Sequence, residues 1–380
     1  MANPLSNLKP ALEVLARNVD ILPATGQAVE ELLHPDHEEV EDSILSREDK
    51  RLEVIGERPN RDLYVSTLPL PRTERHLFRY FLDGAQRCYF IGSTLEGERT
   101  SPIHIAQVGT TIVHRRDDGT VHAAHSRQDT LLLLARSRLS EGVWTRVEQA
   151  ATAAGFQLVD ITEHDDVTLS LSSEMDLRTR AVNKASGVMR TREYEAARDL
   201  AGRREGEWLV IDGFLRFQFQ KLAQVPNLIG VAKSFTKNPV FRYGRGPRAE
   251  TLPMSRLLAG LPAQHRTCVF TATTGDIGFW YVRLREQGEV EYPMMGVVKV
   301  EIPLPADGEP IDSELVNTLS RALVAERHVT PHGRDRRWHV HLYPIYLAEQ
   351  VIKNSFLSPE VIRNAIRWPR LAGVTVRRES

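Results

Sequence analysis

Read along the chain, the apolar positions change period several times, and each change marks an element. Residues 8–22 repeat Leu12, Val14, Leu15 and Val19 at helical spacing, and residues 28–33 extend that pattern by a turn or two. Residues 36–50 then carry seven acidic side chains and few apolar ones, the composition of a solvated helix or linker. Residues 78–82 and 88–91 are apolar runs separated by Asp83-Gly84, and residues 103–113 alternate before a turn at Asp117-Asp118-Gly119. This predicts three antiparallel strands in succession. Residues 131–139 and 144–154 read as helices.

The second half alternates in the same way. Residues 182–200 form an amphipathic helix with Val182, Ala185, Met189, Ala196 and Leu200 on one face. Short apolar runs at 208–211, 227–232, 267–272, 279–284 and 295–302 read as strands, and 254–261, 313–325 and 345–354 as helices. The succession predicts the α/β class: a mixed sheet flanked by helices over residues 63–380, preceded by an N-terminal helical and acidic appendage over residues 1–62.

Charge and composition narrow the functions. Among 380 residues, 49 Lys and Arg face 50 Asp and Glu, a net charge of −1, which excludes a wholly cationic nucleic-acid binder but not a local basic groove. Two cysteines, Cys88 and Cys268, supply neither a disulfide framework nor a four-thiolate zinc site. No apolar run approaches the ~20 residues of a membrane helix, and residues 1–20 lack a signal-peptide layout, so the expected location is cytoplasmic. No phosphate-binding Gly-x-x-x-x-Gly-Lys loop and no Gly-x-Ser-x-Gly elbow occurs.

The candidate chemistry lies in carboxylates. Two apolar runs lead into Asp-Gly, at Leu82-Asp83-Gly84 and Ile211-Asp212-Gly213. A carboxylate just past a strand leaves the core without leaving the scaffold, and glycine lets the backbone turn or a ligand approach. The same dipeptide also makes an ordinary turn. Between the two, Glu193 falls in the middle of the apolar stripe of the 182–200 helix, while Glu195 falls on the wetter face. A carboxylate on an apolar face is costly without a partner, and clustered carboxylates raise one another's pKa. A Mg²⁺ or Mn²⁺ ion relieves both costs and suits phosphodiester hydrolysis. Residues 233–248 add Lys233, Lys237, Arg242, Arg245 and Arg248, with no acid and with Phe235, Phe241 and Tyr243 interleaved. Cations answer phosphates and aromatic rings stack on bases, the combination of a single-strand channel; the alternative is a solvated loop. Residues 332–341 form a second basic, histidine-bearing cluster.

These motifs resemble the NurA nucleases. The run Phe81-Leu82-Asp83-Gly84-Ala85-Gln86-Arg87, with residues 102–109, is similar to that family's first motif. Leu209-Val210-Ile211-Asp212-Gly213 with residues 228–234 is similar to its central motif, and Tyr343-Pro344-Ile345-Tyr346-Leu347-Ala348 to its closing helix. The resemblance implies an RNase H-like core, a homodimer, and a manganese-dependent DNA nuclease working with the hexameric HerA translocase. It implies that Asp83 and Asp212 bind metal, that Glu193 or Glu195 is the intervening glutamate, and that Tyr343 is the motif tyrosine of the active site. Two positions depart from the family pattern: Glu349 stands where a histidine is common, and Ala85 where serine is usual. The competing readings are a DNA-binding adaptor that has lost its chemistry and another nuclease with an RNase H-like core.

Overall fold

Two long strands, β1 (Phe78–Glu96) and β2 (Arg99–Arg115), pair antiparallel and organise the sheet. The third strand, β3 (Val121–Leu134), adds antiparallel to β2. Two short apolar strands, β4 (Trp208–Asp212) and β5 (Leu228–Ala232), return on the other side of β1, with β4 parallel to β1 and β5 parallel to β4. The five therefore lie in the order β3-β2-β1-β4-β5. Beyond β5 the sheet continues antiparallel through β7 (Val297–Pro303) and β6 (Ile277–Arg283) to shorter strands. This computed structural model describes residues 5–32, 51–54, 56–71, 76–162, 174–204, 206–215, 222, 225–235, 240–243, 250–271, 277–288, 291–305, 309–329 and 338–369.

The longer described helices over the sheet are α1 (Lys9–Asn18), α2 (Glu141–Ala153), α3 (Glu174–Ala201), α4 (Ser313–Glu326) and α5 (Tyr343–Ser355). The strand period assigns their faces. Cys88, Ala106 and Val108 point to one side and pack on Leu177, Ala181, Val182 and Ala185 of α3. Phe81, Val113, Val210 and Ile229 point to the other, against Val316, Leu319 and Leu323 of α4 and Ile345 and Ala348 of α5. The chain is thus of the α/β class, a large mixed sheet between helices. Among the described residues no helix is long and apolar enough to cross a membrane.

Three expectations are corrected. First, β1 does not stop at Asp83-Gly84 but runs through it, because Asp83 and Gly84 stay paired with Thr111 and Thr110 of β2. Second, residues 131–134 are strand rather than helix. Leu131 to Leu134 are buried on both sides between β2 and the parallel strand Gln157–Asp160, which explains a continuous leucine run without helical spacing. Third, the helical pattern expected over residues 8–22 and 28–33 stops at Asn18: Asp20–Pro23 and Glu30–Leu32 are strands. α1 buries Ala11, Leu12 and Leu15 in a core shared with Trp144 and Val147 of α2. Asp20–Pro23 and Glu30–Leu32 pair with β1 at Gly92–Leu95 and Cys88–Phe90. A short amphipathic helix is marginal in water and gains its stability by burying that face. The acidic run at 36–50 lies outside the described residues.

Candidate functional site

The site begins as a notch in one edge of β1. β4 pairs with β1 only as far as Leu82, and Glu30–Leu32 takes up the same edge again at Cys88. Between them, residues 83–87 have no neighbouring strand on that side among the described residues. A cavity of about 370 Å³ opens there, and Asp83, Glu193, Asp212, Lys233 and Glu349 all line it.

Each carboxylate has a separate structural reason to be present. The β1–β4 register pairs Val210 with Phe81 and Ile211 with Leu82, so Asp83 and Asp212 are the next positions on adjacent strands and share a face. Asp212 ends β4, and Gly213 turns the chain away at φ +108°, a conformation that favours glycine. Glu349 comes from α5, on that same face of the sheet. Glu193 comes from α3 on the opposite face and reaches the cavity over Gly84. A Cβ at Gly84 would sit 2.4 Å from Glu193 Oε1, so the glycine after Asp83 makes room for the glutamate rather than for a turn. The Gly84 N–H donates a hydrogen bond to that carboxylate.

The electrostatics follow from crowding like charges out of water. Burial, reinforced by Asp212, pushes the Asp83 carboxyl well above the carboxylate range. Burial and Asp212 push Glu193 up to about 8. No described residue donates a hydrogen bond to Asp83, whose residue is only 5% exposed. The cation on Asp212 is Lys233, whose Nζ donates to Asp212 Oδ2 at 2.8 Å. Burial works against its charge, but Asp212, Asp83 and Glu349 outweigh burial and hold the ammonium above its ordinary value. Burial likewise opposes ionisation of Glu349, and Lys233 and Lys353 outweigh it, so that carboxyl lies below its usual value. Lys353 Nζ donates to Glu349 Oε1 at 2.5 Å.

The donor set suits a hard divalent cation: it consists of carboxylate oxygens, and Asp83 is buried without a donor. The side chains are not yet arranged for one. Among the described residues no three His, Cys, Asp or Glu side chains form a group spaced to hold a metal ion. The Asp212 carboxylate is paired instead with the Lys233 ammonium.

The remaining candidates lie elsewhere. Glu195 is turned from the cavity, accepting from Arg192 at 2.9 Å and Arg127 at 3.2 Å. Tyr343 opens α5 and is 49% exposed, its ring 5.4 Å from that of His328; it does not line the cavity. Lys233 belongs to the acidic cluster rather than to an exposed loop. Arg242 and Tyr243 fall on the strand Val240–Tyr243, while Lys237, Arg245 and Arg248 lie outside the described residues. Phe235 and Phe241 are not stacking platforms: both are core side chains, Phe241 with its ring centroid 4.3 Å from that of Phe270. His339 Nδ1 accepts from the Gly296 N–H at 3.1 Å. Sequence reasoning named two members of the cluster's charge balance without joining them to it: Lys233 reads with the basic run, and Glu349 enters only as a departure from the family histidine. The signal for the first was a lone lysine directly after a strand that neighbours the Asp212 strand. No model of a known protein family matches this chain, and no curated protein matches it.

Proposed function

We propose that this chain is a divalent-metal-dependent DNA nuclease of the NurA type. The observation that supports it most is the convergence of Asp83, Glu193 and Asp212, from two strands and a helix on opposite faces, on one cavity at a gap in the sheet edge. Asp83, Asp212 and Glu193 would hold the ion. When bound, Mn²⁺ or Mg²⁺ activates water and offsets the charge that develops on the scissile phosphate. Burial and Asp212 raise the Glu193 carboxyl, so a proton held there would have to leave for Glu193 to ligate an ion. Arg87, Arg190 and Lys353 on the cavity wall supply positive potential for the phosphates on either side. The mixed sheet between helices supports the finer reading of β1 to β5 with α3 as an RNase H-like core. The resemblance adds a homodimer and a HerA-type hexameric partner to the same proposal, which also takes in the expected cytoplasmic location.

A second reading, a DNA-binding adaptor without chemistry, is favoured by the Lys233–Asp212 ion pair, which neutralises part of the cluster without a metal. One experiment separates the two: end-labelled single- and double-stranded DNA incubated with purified protein in Mn²⁺, Mg²⁺ or EDTA, with and without a HerA-type ATPase. The nuclease reading expects metal-dependent shortening that EDTA and Asp83→Asn abolish. Retention of DNA without cleavage under every condition favours the adaptor.

A further inference from the structure

We propose that Lys233 is the resident cation of the carboxylate cluster, and that a divalent ion enters the site by displacing its ammonium from Asp212. This rests on the reading of the cluster as a metal site. Lys233 directly follows β5, where Val231 is level with Asp212, so the lysine stem begins beside the notch. Its Nζ is 2.8 Å from Asp212 Oδ2, and its side chain is only 9% exposed. Besides Asp212, it feels the charges of Asp83 and Glu349. The ammonium is thus paired with Asp212 in the lining of the cavity that Asp83 and Glu349 also line.

The chemistry of lysine suits a removable counter-ion. A single point charge on a flexible four-carbon stem can leave one carboxylate without breaking the planar two-point grip an arginine would make. Glu349 keeps a second cation, Lys353, when Lys233 leaves. Asp212 has no other ion-pair partner among the described residues, so it is the oxygen donor exposed by the swing. An ammonium and a divalent ion on the same carboxylate repel one another, and the metal's apparent affinity therefore carries the cost of moving the lysine. Without that competitor, Mn²⁺ should bind at least roughly tenfold more tightly.

The test measures metal binding rather than cleavage. Free Mn²⁺ is followed by electron paramagnetic resonance as it is titrated into wild-type protein, Lys233→Met and Lys233→Arg, and each is melted in EDTA and in Mn²⁺. Lys233→Met should bind Mn²⁺ at least roughly tenfold more tightly than wild type, melt lower in EDTA, and recover in Mn²⁺. Lys233→Arg, which keeps the charge, should gain no affinity. Equal or weaker binding by Lys233→Met overturns the proposal, as does an equal gain in Lys233→Arg. Should Lys233→Met fail to fold without metal, the wild-type chain answers the question: its Lys233 Cε resonance should shift on Mg²⁺ addition, and an unmoved resonance overturns the displacement. DNA cleavage by wild type with unchanged Mn²⁺ affinity in Lys233→Met overturns this inference alone. Tightened binding without any cleavage by wild type overturns the nuclease reading alone.

Discussion

The Glu193 carboxylate rests on the backbone of Gly84, close enough that a Cβ there would lie 2.4 Å from Oε1. Two residues more than a hundred positions apart are thereby coupled, and the helix glutamate reaches the strand aspartates through the space of a missing side chain. Gly84→Ala should force Glu193 to shift, costing about 1–3 kcal/mol by overpacking. Urea unfolding checks the stability, and Mn²⁺ titration checks the accompanying loss of affinity. A variant unchanged in both contradicts the coupling.

The raised carboxyls set the pH response of the metal-free protein. Glu193 moves from 4.5 when unfolded to about 8 when folded, with Asp83 shifted in the same direction. A carboxyl raised by folding contributes stability that is complete below its unfolded value and is lost as pH rises through the folded one. In EDTA the melting temperature should therefore fall between about pH 4.5 and pH 8. Glu193→Gln should flatten that slope and raise the melting temperature at pH 8.5. A wild-type profile that rises over this window contradicts the assignment.

Much of this site was legible because local pattern and tertiary position agree. The apolar stripe of α3 placed Glu193 inward and Glu195 outward, and the structure buries the first while the second pairs with Arg192 and Arg127. Asp212 ends a short apolar strand whose length is visible in the sequence. Asp83 was harder. Asp-Gly is a turn signal by composition, and only pairing with β2 carries the strand through it. Lys233 reads in the sequence as a DNA-contacting cation of the basic run because its partner, Asp212, lies on a neighbouring strand that spacing alone does not align. Leu131 to Leu134 mislead for the same reason: a short apolar run is strand or helix according to what flanks it in space.

The segment after Asp212 is held by a buried pair on β7. Glu301 Oε2 accepts from the Leu215 N–H at 2.8 Å, and Lys299 Nζ is 2.9 Å from Glu301 Oε1 and 4.9 Å from the centre of the Phe214 ring. Glu301→Ala leaves the Lys299 charge buried without its carboxylate, which should cost about 3–5 kcal/mol. Denaturant unfolding gives the figure. A loss below about 1 kcal/mol would mean that water or another group replaces the carboxylate.

The basic run at 233–248 predicts a salt-dependent contribution to DNA binding. Arg242→Glu with Arg245→Glu should weaken single-strand binding and lower the slope of log affinity against log salt by roughly 0.7 per lost phosphate contact. Fluorescence anisotropy across a salt series measures both. An unchanged slope means that these two arginines make no phosphate contact.

A divalent metal held in the notch would have a position that diffraction locates. Crystals grown in EDTA and then soaked in MnCl₂ should give one or more anomalous difference peaks within roughly 2.0–2.6 Å of carboxylate oxygens of Asp83 and Asp212, with Lys233 Nζ withdrawn from Asp212. A map without a peak at saturating Mn²⁺, with the Lys233–Asp212 pair intact, would contradict it.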